Sequence, residues 1–259
     1  MAKIIAIANQ KGGVGKTTTS VNLSASLAFL GKRVLIVDID PQGNTTSGLG
    51  IEKENHKSIY NVIIDGEDIR DTILDTKIES LKICPSNINL AGAEIELVSV
   101  ISRESRVKNA ISEIENDYDY IFFDCPPSLG LLTINALMAA NTILVPIQCE
   151  YYALEGLSQL MNTVKIVQQH LNRKLDVEGV VLTMFDARTN LSLQVVEEVQ
   201  KFFKNKVYRT IIPRNIKLSE APSHGLPIIL YDPKSKGAEC YVQLAQEVIC
   251  CSEGGKGNG

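Results

Sequence analysis

Short apolar runs and longer segments of helical spacing alternate along the whole chain. The apolar runs are rich in β-branched residues and predict buried strands at residues 3–7, 33–37, 81–85, 119–124, 142–147, 177–184 and 207–212. The longer segments carry apolar residues on one face and predict helices at residues 20–30, 102–116 and 237–251, and in segments that end near residues 170 and 204. Strands that alternate with helices indicate an α/β protein with a doubly wound, mostly parallel sheet and helices on both faces.

The pattern contains no internal repeat and no linker, so we expect a single domain over residues 1–251. Residues 44–80 are polar and punctuated by glycine, which predicts an excursion over the surface. The Tyr151-Tyr152 pair precedes the helix that ends near residue 170. Residues 252–259 are rich in glycine and predict a disordered tail.

The composition is that of a chain able to bury a sizeable core, with 44% hydrophobic residues, 22% charged residues and a net charge of −4. No apolar run approaches the length that spans a bilayer, and no signal peptide precedes the first strand. The six cysteines are scattered without a C-x-x-C pair, which favours reduced thiols over disulfides or a metal site. We therefore expect a cytoplasmic protein.

A glycine-rich loop follows the first predicted strand and opens the first predicted helix, which Gly31 is expected to end. This is the context that a phosphate-binding loop requires, because glycines and a helix N-terminus present backbone N–H groups to a phosphate. Lys16 can reach the β- and γ-phosphates, and the hydroxyl of Thr17 can bind Mg²⁺. The alternative is a glycine-rich turn with a solvated lysine, which fits Gly-Lys-Thr in this context less well.

Three aspartates stand at the ends of two predicted strands. Asp38 and Asp40 follow the second strand, and Asp124 ends the run at residues 119–124. Because carboxyl ends of parallel strands meet at one edge of a sheet, we expect these side chains near the loop. Hydrolysis needs an acceptor that orients the attacking water, although Asp38 and Asp40 could instead cap a helix or turn. Asp124 alone is weak support for a Mg²⁺ site, and together with the loop it is strong support.

The loop departs from the pattern G-x-x-x-x-G-K-[ST], because Gln10 stands where the first glycine would be. The run KGGVGKTT at residues 11–18 resembles the deviant Walker A loop of the ParA/MinD family of P-loop ATPases. The run DIDPQGN at residues 38–44 and DCPP at residues 124–127 are similar to further motifs of that family. Residues 221–225 and 231–238 resemble the chromosomal ParA (Soj) branch, and the resemblance covers residues 1–250.

The resemblance implies a nucleotide site and roles within it. In this family, Lys11 would be a signature lysine that crosses a dimer interface to the partner's nucleotide, and Asp40 would position the attacking water. Lys11, Lys16 and Asp40 would thus be catalytic, whereas Thr17, Asp38 and Asp124 would lie at the Mg²⁺ ion. Pro213 and Asn215 would lie in the loop that recognises adenine. The implied contacts to ATP come from Lys11, Gly12, Gly13, Val14, Gly15, Lys16, Thr17, Thr18, Pro213 and Asn215.

A second implied property is DNA binding. Residues 201–236 contain eight Lys or Arg against two acidic residues, a local basic concentration in an acidic protein. ParA-like proteins bind double-stranded DNA non-specifically as ATP-bound homodimers, and the resemblance points to Arg188, Arg214 and Lys217 as phosphate contacts. It also implies chromosome or plasmid partitioning, a nucleoid-associated location and weak intrinsic turnover that a ParB-like partner stimulates. The alternative is a solvated charged face.

Three other functions remain open. A MinD-like membrane-associated ATPase for division-site placement would share the loop, but it would end in a basic amphipathic helix, which the glycine-rich tail lacks. An iron–sulfur carrier would bridge a cluster between subunits through cysteines such as Cys125. A binding module without turnover is disfavoured by the presence of Lys11, Lys16, Asp40 and Asp124 together.

Overall fold

The computed structural model of the protein describes residues 1–150 and 155–254. The strands are β1 (Lys3–Ile7), β2 (Val34–Asp38), β3 (Leu74–Asp75), β4 (Leu81–Cys84), β5 (Tyr120–Asp124), β6 (Thr142–Gln148) and β7 (Asp176–Thr183). The helices are α1 (Lys16–Phe29), α2 (Asn44–Gly48), α3 (Leu90–Glu96), α4 (Arg106–Ser112), α5 (Leu131–Ala139), α6 (Glu155–His170), α7 (Asn190–Phe203), α8 (Ile216–Glu220), α9 (Ile228–Tyr231) and α10 (Lys236–Gly254). Short 3₁₀ turns and one π-helical turn lie between them.

The strands form one sheet in the order β3-β4-β2-β5-β1-β6-β7. All neighbouring strands are parallel except β3, which pairs antiparallel with β4 at the edge. The predicted doubly wound, mostly parallel sheet is therefore confirmed. The order reverses around β1, which is typical of folds that bind ligands at the carboxyl ends of the strands.

Side chains of successive strand residues point to opposite faces of the sheet, and each face has its own core. In β1, Ile4 and Ala6 belong to the core that packs against α4, α5, α6 and α7. Ile5 and Ile7 belong to the other core, which packs against α1 and α10. The strands are apolar on both sides because helices cover both faces, and this explains the continuous apolar runs in the sequence.

The carboxyl ends of the central strands bring the predicted functional residues together. Asp124 at the end of β5 is in register with Ile7 at the end of β1 and with Asp38 at the end of β2. The glycine-rich loop leaves β1 at this same edge. Parallel pairing thus places a loop and two carboxylates side by side, although they are far apart in the sequence.

The predicted strand at residues 207–212 does not form. Val207 makes only an isolated bridge with Val180. The carboxylate of Glu247 on α10 accepts hydrogen bonds from the backbone N–H groups of Arg209, at 2.9 Å, and Thr210, at 2.8 Å. The segment still bonds to β7 through the backbone N–H groups of Tyr208, at 2.9 Å, and Ile212, at 2.8 Å. The N–H of Thr210 between them binds a side chain instead, which interrupts the ladder.

Residues 44–80 are more than the predicted surface excursion. They contain α2 and the antiparallel edge strand β3. Ile59, Ile63 and Ile69 are completely or almost completely buried and pack in the core on the α4 side of the sheet. The polar residues between them masked this apolar contribution in the sequence.

Three helix boundaries differ from the prediction. The first helix begins at Lys16 rather than near residue 20, because Gly15 already occupies its N-cap position. The predicted helix at residues 102–116 is a 3₁₀ turn followed by the shorter α4, with Val107 and Ile111 buried as expected. The last helix continues to Gly254, beyond the predicted tail boundary. The rest of the predicted tail and the Tyr151-Tyr152 pair lie outside the described residues.

Two glycines bring separate parts of the chain into backbone contact. Gly50 follows α2 with φ +78°, and a Cβ atom there would lie 2.8 Å from the carbonyl oxygen of Gly225. A Cβ atom at Gly225, which has φ +59°, would lie 2.6 Å from the Cα atom of Gly50. The segment after α2 therefore touches the turn after α8 without room for any side chain.

We expect Gly50→Ala to lower the free energy of unfolding by about 2–5 kcal/mol, since it adds a close contact to the strain of a left-handed alanine. Gly31→Ala is the matched control, because Gly31 has φ +81° with open space around its missing Cβ atom. It should cost about 1–2 kcal/mol, from backbone strain alone. Urea unfolding of both variants measures the difference, and equal losses would show that the contact between Gly50 and Gly225 contributes nothing.

Candidate functional site: a phosphate loop beside two buried aspartates

The glycine-rich loop is held in place by side-chain contacts with its own backbone and with neighbouring strands. The side chain of Asn9 accepts a hydrogen bond from the backbone N–H of Lys11, at 3.0 Å, and donates one to the carbonyl oxygen of Pro146 in β6, at 2.7 Å. The hydroxyl of Thr183 at the end of β7 donates to the carbonyl oxygen of Val14, at 2.8 Å. The loop therefore rests on β6 and β7.

Glycine is required at two positions of this loop. Gly13 has φ +73° and Gly15 has φ +87°, in the left-handed region where side chains are strained. Gly15 is the N-cap of α1, so the first turn of that helix directs its N–H groups to the space above the loop. This geometry suits an anion such as a phosphate chain.

Lys16 folds back over the loop. Its Nζ donates to the carbonyl oxygen of Lys11 at 3.2 Å, and the residue is only 7% exposed. Burial lowers the pKa of the Lys16 ammonium, and the negative charge of Asp124 opposes that shift. A cation held here, poorly hydrated and above a ring of N–H groups, is suited to bind phosphate oxygens.

Asp124 is the centre of a buried hydroxyl network. Its Oδ2 accepts hydrogen bonds from the hydroxyls of Thr17, at 2.8 Å, and Thr45, at 2.7 Å. Its Oδ1 accepts a hydrogen bond from the hydroxyl of Ser20 at 2.9 Å. Burial raises the pKa of the Asp124 carboxyl, and the three hydroxyl donors oppose that shift.

Asp38 lies beside Asp124 and is completely buried. One carboxylate oxygen accepts hydrogen bonds from both the backbone N–H and the hydroxyl of Thr46, each at 2.8 Å. The other accepts from the backbone N–H of Asp40 at 3.2 Å. Burial, followed by the charge of Asp124, raises the pKa of Asp38 to about 7. Asp38 thus holds the start of α2 and the backbone of Asp40, and its expected place near Mg²⁺ stays a prediction.

Hard oxygen donors are the groups that Mg²⁺ prefers, and Thr17 and Asp124 supply a hydroxyl and a carboxylate 2.8 Å apart. Burial raises the pKa of both adjacent carboxyls, and a bound cation would favour their charged forms. Among the described residues, no group of three or more His, Cys, Asp or Glu side chains is arranged to hold a metal ion. A hydroxyl and a carboxylate at this distance fit an Mg²⁺ ion whose other ligands would be water and the phosphates of a nucleotide.

Asp40 lies in the turn between β2 and α2. Its Oδ1 accepts a hydrogen bond from the backbone N–H of Gln42 at 2.9 Å, and its carbonyl oxygen accepts from the N–H of Gly43 at 2.9 Å. The residue is 8% exposed. The carboxylate is therefore oriented by the turn at the same sheet edge as Lys16 and Asp124.

A cavity of 310 Å³ adjoins the loop on the side of α8 and α10. Pro213 and Asn215 line it, as do Gly15 and Thr18 of the loop region. Asn215 is also the N-cap of α8, since its side-chain oxygen accepts from the backbone N–H of Lys217 at 2.8 Å. The two residues expected near adenine thus share a cavity with the phosphate loop. Sequence reasoning missed other lining residues, including Leu218, Pro222 and Tyr241.

Lys11 points away from the loop that contains it. Its Nζ lies 3.9 Å from Oε2 of Glu150, and its side chain is one-third exposed. Glu150 also accepts a short hydrogen bond from Gln148 and lies 3.5 Å from the guanidinium of Arg214. The two loop lysines therefore have different surroundings, with Lys16 buried over the loop and Lys11 at its rim.

Each residue expected to contact DNA has an acidic neighbour. Arg188 makes two hydrogen bonds to Asp186, at 2.8 Å and 2.7 Å. These bonds hold the pKa of the Asp186 carboxyl well below its usual range. Lys217 donates to Glu220 at 2.9 Å. Arg214 is likewise paired with Glu150. The net positive charge around these three residues is therefore smaller than the count of Lys and Arg along the sequence indicates.

The segments that carry these three cations adjoin one another. Pro213 makes a bridge with Phe185, and the backbone N–H of Arg214 donates to the carbonyl oxygen of Phe185 at 3.1 Å. Lys217 lies in the first turn of α8, directly after this segment. All three side chains are exposed, with Arg188 at 87%, and they could reach a common ligand.

Sequence reasoning missed the hydroxyls of Ser20, Thr45 and Thr46, which bind the buried aspartates. No motif distinguishes them from ordinary Ser and Thr residues at the start of a helix. The expected cysteine of an iron–sulfur carrier does not fit, because Cys125 is 1% exposed and belongs to the core. A cluster shared between subunits needs thiols at the surface.

A glycine loop between strand and helix, a lysine over it and an aspartate on the adjacent strand together define a P-loop nucleoside triphosphatase. A family model described as an AAA domain matches residues 2–177. The chain is 66% identical to the sporulation initiation inhibitor protein Soj of Bacillus subtilis, over 96% of this chain and 98% of that relative. It is 54% identical to the chromosome partitioning protein ParA of Myxococcus xanthus, over 96% of this chain and 88% of that relative.

A solved structure shares the fold over nearly the same length. Cobyrinic acid a,c-diamide synthase from Mycobacterium smegmatis, with bound ADP and magnesium, superposes with a TM-score of 0.87 at 37% identity. The alignment covers 98% of this chain and 97% of that one. The chain belongs to the ParA/Soj family of ParA/MinD-type P-loop ATPases. The resemblance carried by the loop and the aspartate motifs is thereby confirmed.

We expect Lys16→Ala to weaken ATP binding by a single subunit by on the order of a hundredfold, because it removes a charge-assisted contact to phosphate from a desolvated site. Titration with a fluorescent ATP analogue at low protein concentration measures the loss. Lys11→Ala is the comparison, since Lys11 lies at the rim, and it should keep single-subunit affinity within about threefold. Loss of affinity in both variants, or in neither, would contradict the division between the two lysines.

Proposed function

We propose that this chain is an ATP-dependent dimerising switch that binds DNA non-specifically and drives chromosome or plasmid partitioning. A ParB-like partner stimulates hydrolysis and releases the dimer from DNA. The observation that carries this proposal is the pair of loop lysines: Lys16 lies over the phosphate loop, whereas Lys11 extends to the rim. A loop that bound nucleotide for one subunit alone would need only Lys16.

ATP with Mg²⁺ is the proposed nucleotide. The loop from Gly12 to Thr18 and the buried Lys16 bind the phosphates, and Thr17 and Asp124 hold Mg²⁺. When bound, Mg²⁺ neutralises charge on the phosphates. Pro213 and Asn215 bound the adjoining cavity, which lies on the side where the base would extend from the loop.

In the proposed homodimer, Lys11 completes the nucleotide site of the other subunit. Its ion pair with Glu150 is long and half-exposed, so little free energy is lost when the lysine leaves it. In the dimer, the ammonium of Lys11 binds the nucleotide of the partner subunit. Each site is then complete only when two subunits meet.

Asp40 is the proposed acceptor that orients the attacking water. In the single subunit, its carboxylate binds the backbone N–H of Gln42, so one of its acceptor positions is occupied by its own turn. A carboxylate engaged in this way is held in one orientation but shares its charge, which is consistent with weak intrinsic turnover. The activating partner would act on this turn or on the dimer around it.

Arg188, Arg214 and Lys217 form the proposed DNA surface. Contacts with phosphates need cations and no reading of bases, so binding is independent of sequence. Their acidic neighbours do not prevent this, because exposed ion pairs contribute about 0–1 kcal/mol each. Nucleoid association follows from DNA binding.

The MinD-like alternative predicts binding to a lipid surface. In the described part of the chain, no helix is long and apolar enough to cross a membrane. Sedimentation with anionic liposomes in ATP separates the two functions, since a partitioning ATPase should sediment with DNA and not with lipid.

We expect the Asp40→Ala variant to keep ATP binding and to accumulate as a dimer, because the dimer no longer dissociates through ATP hydrolysis. Size-exclusion chromatography in ATP and Mg²⁺ should show the variant as a dimer and Lys16→Ala as a monomer. If Asp40→Ala eluted only as a monomer at saturating ATP, the switch would be refuted.

We expect Arg188→Glu and Lys217→Glu to weaken DNA binding by roughly tenfold or more each, because phosphate contacts are lost and repulsion is added. Co-sedimentation with DNA in ATP, in ADP and without nucleotide measures this, and only ATP should support binding. ATP hydrolysis without DNA should be unchanged. Lys108→Glu on α4 is the matched control, since Lys108 is exposed in a helix that carries none of the three proposed contacts. Equal DNA binding by all three variants would exclude this surface.

A further inference from the structure

We propose that Lys53 is a positioning residue for hydrolysis: it holds the turn that carries Asp40. Its Nζ donates a hydrogen bond to the carbonyl oxygen of Gln42 at 2.6 Å. The proposal rests on the function proposed for Asp40, and it adds a residue outside every motif of the loop and the aspartates.

The side chain of Lys53 fixes the turn in two ways. Its ammonium binds the backbone of Gln42, and its aliphatic stem covers Gly43. A Cβ atom at Gly43 would lie 3.1 Å from Cε and 3.2 Å from Cδ of Lys53. Gly43 has φ +59° and is the N-cap of α2, so the stem packs directly on the point where the turn becomes a helix.

Gln42 links Lys53 to the carboxylate of Asp40. The backbone N–H of Gln42 donates to Oδ1 of Asp40 at 2.9 Å, while its carbonyl oxygen accepts from Lys53. The same residue is therefore held at both ends of its backbone. The N–H and the carbonyl of Gln42 belong to two peptide groups that share its Cα atom, so the two hydrogen bonds together fix that atom. Without the ammonium, the peptide group after Gln42 would be released, and the turn that orients the Asp40 carboxylate would be held from one side only.

The other side of this turn is fixed by buried groups. Thr45 and Thr46 of α2 bind Asp124 and Asp38, and the hydroxyl of Thr46 accepts a hydrogen bond from the backbone N–H of Ser86 at 3.0 Å. The residues after Gly43 are thus held from inside the protein. Lys53 supplies the corresponding contact from the outside, through its hydrogen bond to the carbonyl oxygen of Gln42.

A second lysine nearby provides a matched control. Lys53 and Lys57 both line an open cavity of 650 Å³ beside the turn. Lys57 does not bind the turn, since it forms ion pairs with Glu67, at 2.5 Å, and Asp71, at 3.6 Å. Removing either ammonium changes the charge of the same cavity, but only one removal releases Gln42.

The experiment compares Lys53→Met, Lys53→Arg, Lys57→Met and Asp40→Asn in the full chain. Methionine retains much of the stem that packs on Gly43 and removes the ammonium. For Lys53→Met we expect kcat for intrinsic Mg-ATP hydrolysis to fall on the order of tenfold, as misplaced catalytic groups do. The KM for ATP, the affinity for a fluorescent ATP analogue and the Tm should stay close to those of the unaltered protein. Lys53→Arg should restore most of the turnover, and Lys57→Met should leave it unchanged.

The outcomes separate this inference from the function on which it rests. Normal kcat in Lys53→Met, together with inactive Asp40→Asn, would overturn the role of Lys53 and leave that of Asp40 intact. Full turnover in Asp40→Asn would overturn both. A loss in Lys53→Met that appears equally in nucleotide affinity and Tm, or that Lys57→Met reproduces, would show a structural or electrostatic effect and would also overturn the proposal.

Discussion

The buried carboxylate of Asp124 is the interaction on which this structure depends. It lies at the end of a central strand and accepts hydroxyl hydrogen bonds from Thr17, Ser20 and Thr45, which belong to two different helices. A buried charge is costly unless it is well hydrogen-bonded, so the start of α1 and the start of α2 must both remain beside β5. The group that would meet the metal is thus also the group that assembles the site. Burial, followed by the charge of Asp124, raises the pKa of the neighbouring Asp38 carboxyl, so a bound cation would favour the ionised form of this pair.

From this centre, a series of close contacts leads to the segment that carries Lys217. Asp38 holds Thr46 in α2, and Gly50, just after α2, lies against Gly225 in backbone contact. Gly225 ends the turn that follows α8, the helix that carries Lys217. Because backbone atoms meet there with no side chain between them, neither segment can shift toward the other. The nucleotide turn and the cationic surface are therefore parts of one packed unit.

The parts of this site that depend on backbone geometry could be predicted from the sequence. Left-handed glycines, a strand before them and a helix after them leave a local pattern, and apolar strands that end in aspartate predict which side chains meet at the sheet edge. Side-chain hydrogen bonds across the fold leave no such pattern. The hydroxyls of Ser20 and Thr45 look like those of ordinary helix residues. The carboxylate of Glu247, far along the chain, accepts the N–H of Thr210 and so interrupts the pairing of residues 207–212 with β7. Such contacts are decided by tertiary packing, which local periodicity does not record.

The acidic partners of the proposed DNA contacts show why dimerisation matters to the switch. On the proposed surface, Arg188, Arg214 and Lys217 would each exchange a carboxylate for a phosphate, so the net gain per cation would be small. When two linked subunits bind one duplex, the small binding free energies of their contacts add. The affinity of the dimer for DNA therefore exceeds that of one subunit by a large factor. ATP then has no need to reshape the cationic surface. Under the role proposed for Lys11, it would be enough that ATP joins two subunits, because the doubled set of contacts would distinguish a DNA-bound dimer from a free monomer.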